Sequence, residues 1–128
     1  MRDAVDTDRA PAAVGPYSQA IRADGLVFTS GMGGIDPRTR RLVDGGAAAE
    51  ARQALENIAA TLEAAGSGMD HVVRVGLFLL DMADFNAVNE VYRSHFREPY
   101  PARTTVAVRE LPAGLHVEID CVARLASS

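Results

Sequence analysis

Pro101-Ala102-Arg103-Thr104-Thr105-Val106-Ala107-Val108, a turn around Leu111-Pro112-Ala113-Gly114, and Val117-Glu118-Ile119-Asp120 form the stretch from which the rest of the chain is read. Both ends of it alternate branched apolar residues with small or polar ones, the pattern of two half-buried strands. Side chains on a strand point to opposite faces in turn. Val106 and Val108 therefore share one face, with Arg103, Thr105 and Ala107 on the other. In the second strand Val117, Ile119 and Cys121 oppose Glu118, Asp120 and Val122. If both valine-rich faces pack on one core, Arg103 and Glu118 emerge together on the other face of the sheet.

Working back from there, Pro99 and Pro101 end a helix whose apolar stripe is Phe85, Val88, Tyr92 and Phe96, capped by Asp81 to Asp84. His71 to Leu80 is apolar on both faces and reads as a central strand. From Ala47 to Ala65 apolar residues recur at helical spacing through Leu55, Ile58 and Leu62, and Gly66 closes that helix. Runs at Ser18 to Arg22 and Leu26 to Met32 flank Asp24-Gly25, a hairpin signal. Arg40 to Val43 reads as a small edge strand, and the segment up to Ala13 as loose chain. The order is β-β-α-β-α-β-β, an α+β fold with a mixed sheet and two helices on one face. The uncovered face would carry a large apolar patch, which self-association would bury.

A chain of 128 residues with 48% hydrophobic and 23% charged residues fits a single domain spanning 1–128 with a sizeable core. Thirteen Lys plus Arg against seventeen Asp plus Glu give a net charge of −4, and the arginines are scattered. Nucleic acid is a poor partner for such a surface. No secretory or membrane-spanning run is evident, so a soluble cytoplasmic protein is the expectation. The single cysteine, Cys121, lies between Ile119 and Ala123 and reads as a buried structural thiol. His71, His95 and His116 lack metal-ligand spacing, and no metal is expected. Gly31-Met32-Gly33-Gly34 opens no helix and lacks the lysine of a phosphate loop, and no nucleophile elbow surrounds Ser18 or Ser30.

Three ordered segments, Gly15-Pro16-Tyr17-Ser18-Gln19-Ala20, Thr29-Ser30-Gly31 and the stretch from Pro101 to Asp120, resemble the RidA (YjgF) family of reactive-intermediate deaminases over nearly the whole chain. The resemblance implies a chorismate-mutase-like homotrimer with ligand clefts between subunits. It also implies hydrolysis of 2-imino and 2-amino-enoic acids, such as 2-iminopropanoate and 2-aminoacrylate, to 2-oxo acids and ammonia, with no organic cofactor. Arg103 would hold the substrate carboxylate with its planar donor fork. Glu118 would orient or activate water. Tyr17, Ser30, Gly31, Asn89 and Thr105 would complete substrate binding.

From the residues alone, a surface ion pair for Arg103, a solvent-facing strand position for Glu118, a packing role for Tyr17 and an exposed helical position for Asn89 stay open. Met32 stands where many relatives carry glutamine, and Thr105 where many bacterial relatives carry cysteine. Two rival functions come from other classes. A non-catalytic carboxylate-binding module would need Arg103 and not Glu118. The endoribonuclease or translation-inhibitor role assigned to some relatives sits poorly with the acidic balance.

Overall fold

In a computed structural model describing residues 2–126, the elements run β1 (Asp3–Val5), β2 (Ala20–Ala23), β3 (Leu26–Thr29), α1 (Gly46–Ala65), β4 (Val72–Leu79), α2 (Phe85–Arg93), β5 (Ala102–Ala107) and β6 (Val117–Arg124). Short 3-10 turns precede β4, α2 and β6. The six strands form one mixed sheet in the order β1-β2-β3-β6-β4-β5, with β4 and β5 parallel and the other pairs antiparallel.

Local chemistry explains most of these elements. Asp24 and Gly25 both take positive φ, 51° and 78°, as a two-residue hairpin turn between β2 and β3 requires. Gly66 ends α1 in the left-handed conformation, its N–H donating to the carbonyls of Leu62 and Glu63. α1 lies across β3 and β6, and α2 packs beside α1. Leu55, Ile58 and Leu62 bury against Val75, Leu77 and Leu79 of β4 and Val117, Ile119, Cys121 and Ala123 of β6. Cys121 is a free buried thiol, and burial pushes its pKa up to about 12.

Several expectations need correction. The segment up to Ala13 is not all loose, because β1 pairs with β2 through Val5 and Ala20. Arg40 to Val43 forms no strand: Leu42 makes an isolated bridge to Ile35. The largest correction concerns β5. Val75, Leu77 and Leu79 pair with Arg103, Thr105 and Ala107, so these three residues share the face that the helices cover. Val106 pairs with Phe78, which also pairs with Glu118, so Val106 and Glu118 share the open face. Arg103 and Glu118 therefore lie on opposite faces of the sheet. The reason is the place of β5 at the edge of the sheet, with α1 lying over β3 and β6. Its helix side meets the rings of α2, which suit a guanidinium, while its one valine, Val106, faces the open side. On that side Phe28 is 43% and Val106 40% exposed, apolar surface that no element among the described residues covers.

Candidate active site

Two clefts carry the candidate residues. The first is built where the chain after β3 runs beside β6. Met32 N–H donates to Ile119 O at 2.8 Å and Ile119 N–H donates back to Met32 O at 2.9 Å, which holds Gly31 against Glu118. A Cβ on Gly31 would lie 2.7 Å from Glu118 Oε2, so the absence of a side chain there is what lets the carboxylate occupy its position. Ser30 is fixed by its N–H donating to Gln19 O and its hydroxyl donating to Ser18 O at 2.6 Å. The Tyr17 hydroxyl accepts from Val14 N–H. Tyr17, Ser30, Gly31, Met32, Leu115 and Glu118 line one cleft of about 1030 Å³. Met32 adds no polar group to the wall: it is buried, and its sulfur accepts from the Thr61 hydroxyl.

Burial, and then the neighbouring charge of Asp120, raise the pKa of Glu118 above the usual carboxylate value. Asp120, two residues on and on the same face, is raised by burial as well, opposed by the backbone N–H of Gly76 and the charge of Arg74. A carboxylate whose charge is disfavoured in this way is a stronger acceptor for a water proton.

The second cleft, about 250 Å³, lies between α2 and β5 and is lined by Asn89, Tyr92, Arg93, Tyr100, Pro101 and Arg103. The Arg103 guanidinium carbon stands 4.6 Å from the centre of the Tyr92 ring and 5.8 Å from that of Phe85. A guanidinium at this distance from a ring centre is held by attraction to the π face. Among the described residues no carboxylate pairs with Arg103. Asn89 Oδ1 and the Tyr92 hydroxyl are buried without hydrogen-bond partners. Burial raises the Tyr92 pKa, with the Arg103 charge opposing it. Such a cleft offers an oriented cation and unsatisfied polar atoms, the equipment for a small carboxylate that also carries a donor.

Tyr17, Ser30, Gly31 and Glu118 thus come together, as do Asn89 and Arg103, but one chain does not bring the two groups together. Thr105 shares the face of Arg103 and lines neither cleft. The sequence reading assigned no site role to Phe85, Tyr92, Tyr100 or Asp120. A signal for two of these was present: Phe85, Asn89 and Tyr92 fall at i, i+4 and i+7 and so share one helix face. Among the described residues no cluster of His, Cys, Asp or Glu could hold a metal ion.

The model of a family described as Endoribonuclease L-PSP matches residues 7–125. A Mus musculus protein named 2-iminobutanoate/2-iminopropanoate deaminase is 45% identical over 123 residues, 96% of this chain and 91% of its own. The crystal structure of RidA from an Antarctic Psychrobacter is similar with a TM-score of 0.93 at 45% identity, covering 96% of this chain and 99% of that one. The E. coli protein TdcF, solved with bound serine, is similar with a TM-score of 0.91 at 35% identity, covering 97% of this chain and 99% of that one.

Proposed function

The chain belongs to the Endoribonuclease L-PSP family, and we propose that it hydrolyses reactive 2-imino and 2-amino-enoic acids to 2-oxo acids and ammonia. Relatives about as similar as the Mus musculus protein carry deaminase names for 2-iminobutanoate and 2-iminopropanoate. TdcF holds serine, a small molecule with the same carboxylate and a nitrogen on the adjacent carbon. The observation that carries the reading is Arg103 stacked on Tyr92 with no carboxylate partner, beside the unpaired Asn89 Oδ1.

In this reading Arg103 grips the substrate carboxylate through two parallel N–H bonds and Asn89 Oδ1 accepts the imine N–H. Glu118 takes a proton from water as the water oxygen bonds to the imine carbon and the C=N pair moves onto nitrogen, and Glu118 passes that same proton to the nitrogen. Glu118 then takes the hydroxyl proton of the resulting carbinolamine and delivers it to the amino group as C=O forms and the C–N bond breaks, releasing ammonia and leaving Glu118 ionised. Tyr17 and Ser30 wall the Glu118 side, and Gly31 gives the carboxylate room. Water and side chains suffice, so the step needs no cofactor.

Because Arg103 and Glu118 face opposite ways, the complete site is assembled between copies. A cyclic homotrimer would join the Arg103 cleft of one protomer to the Glu118 cleft of the next. The reading also takes residues 1–128 as one domain acting in the cytoplasm. The test is an amino-acid oxidase that generates imines in situ while semicarbazide competes for them. The protein should lower semicarbazone yield, and a yield unchanged by the protein would refute the reading. Glu118→Gln that still binds a 2-oxo acid without turnover separates catalysis from simple carboxylate binding.

A further inference from the structure

The Glu118 cleft has a second wall that the catalytic reading leaves unexplained. Between β1 and β2 the chain from Asp6 to Val14 has no strand or helix, yet Thr7, Ala10, Pro11 and Val14 line the cleft. One side chain holds this strap. Gln19, only 3% exposed, donates from Nε2 to the carbonyls of Pro11 at 2.8 Å, Thr7 at 3.0 Å and Ala10 at 3.2 Å, and its Oε1 accepts from Thr7 N–H at 2.7 Å. The Ala10 methyl is buried and Tyr17 holds Val14 N–H, so the strap is fixed at its start, middle and end. From Ala10 to Val14 its side chains are all apolar, Ala-Pro-Ala-Ala-Val, and Met32 and Leu115 line the same cleft, as do the charged Asp6, Asp8, Asp36 and Arg40.

We infer that Gln19 is a positioning residue whose bonds to the Asp6–Val14 strap set an apolar wall for the substrate side chain, selecting 2-imino acids with larger apolar side chains. The inference rests on the deaminase reading for its substrate, though the tether itself stands on geometry alone. An irregular loop keeps its shape only where its backbone groups are satisfied, and here one buried amide satisfies four of them. Losing it frees the wall while Arg103 and Glu118 keep their own supports.

Gln19→Met is close in size and removes all four bonds. Gln19→Glu keeps the acceptor for Thr7 N–H but sets a carboxylate against three carbonyls. Two readouts apply to each. Limited trypsin cleavage after the exposed Arg9, at its bond to the buried Ala10, should quicken by about tenfold or more, while cleavage inside the sheet follows global stability. The KM for the leucine-derived imine should rise about tenfold more than that for the alanine-derived imine, as expected for loss of a few buried methylene contacts. A merely structural role would raise both KM values by the same factor. Unchanged Arg9 cleavage, or an unchanged ratio of the two KM values, overturns the inference. A wild-type chain that turns over no imine removes the underlying reading instead, and the selectivity claim with it. Should neither variant fold, the wild type carries the test: 4-methyl-2-oxopentanoate should protect Arg9–Ala10 from trypsin more than pyruvate does, and equal or absent protection overturns the inference.

Discussion

In the proposed reaction Glu118 has to be ionised to accept a proton from water, and its surroundings resist that ionisation, first by burial and then through Asp120. Activity should therefore rise with pH along a limb displaced upward from the ordinary carboxylate range. Asp120→Asn removes the like charge, so Glu118 should ionise more readily and the limb should move to lower pH. A pH profile of kcat/KM checks the direction, and a limb that stays in place would detach Glu118 from the proton transfer. Gly31 offers a sharper geometric test, because a methyl group there would enter the space of the Glu118 carboxylate. Gly31→Ala should keep its melting temperature, since that carboxylate can swing aside, yet lose on the order of 10²-fold in kcat, the effect of misplacing a reacting group by about 1 Å. Arg103→Ala should abolish turnover, and Arg103→Lys should recover little of it. Lysine keeps the charge and loses the planar pair of donors, costing roughly 1.5–3 kcal/mol, about one to two decades. Because Arg103 stacks on Tyr92 and Phe85 on the helix side, the alanine variant should also lose about 1 kcal/mol of stability, a few degrees in Tm.

The same stacking explains what sequence could and could not reveal about the elements. Helix α1, its glycine stop and the β2–β3 hairpin were legible because periodicity and turn chemistry are local signals. β1 was not, since Asp-Ala-Val is too short to alternate and owes its strand conformation to pairing with β2. β5 misled because its alternation is real while the face buried by the helices is its polar one. Valine usually marks the core side, but at this edge the helix side is occupied by two aromatic rings that favour the guanidinium. Parity within β6 held, where Val117, Ile119, Cys121 and Ala123 are all buried and Glu118 and Asp120 are not. Thus the site residues named from sequence, Thr105 excepted, fall into two clefts, but their division between opposite faces depends on the register of β4 with both neighbours. The buried face of β6 also makes a chemical prediction. With its thiol pushed up to about 12, Cys121 has almost no thiolate at neutral pH, so alkylating reagents should leave the native protein unmodified and fully active. Stoichiometric labelling with rapid loss of turnover, followed by mass spectrometry, would contradict its place in the core.

At the scale of the whole molecule, the open face of the sheet joins Phe28, Phe78 and Val106 to the acidic pair Glu118 and Asp120, an unsuitable surface for solvent or for a phosphate backbone. The net charge of −4 argues in the same direction against RNA as the substrate, despite the description of the family. RNA cleavage that survived both Arg103→Ala and repeated purification would reverse that view. A second copy of the chain suits the face better, and in the proposed assembly a closed ring of copies would also bring an Arg103 cleft to a Glu118 cleft. In the proposed assembly each working site takes Arg103 from one protomer and Glu118 from another. Arg103→Ala and Glu118→Gln chains should each be inactive alone. Unfolded together in equal amounts, refolded and assayed for imine hydrolysis, they should regain about a quarter of wild-type activity, the fraction of head-to-tail interfaces that random assembly restores. Mixtures as inactive as either parent, although shown by mass spectrometry to contain mixed oligomers, would contradict the account.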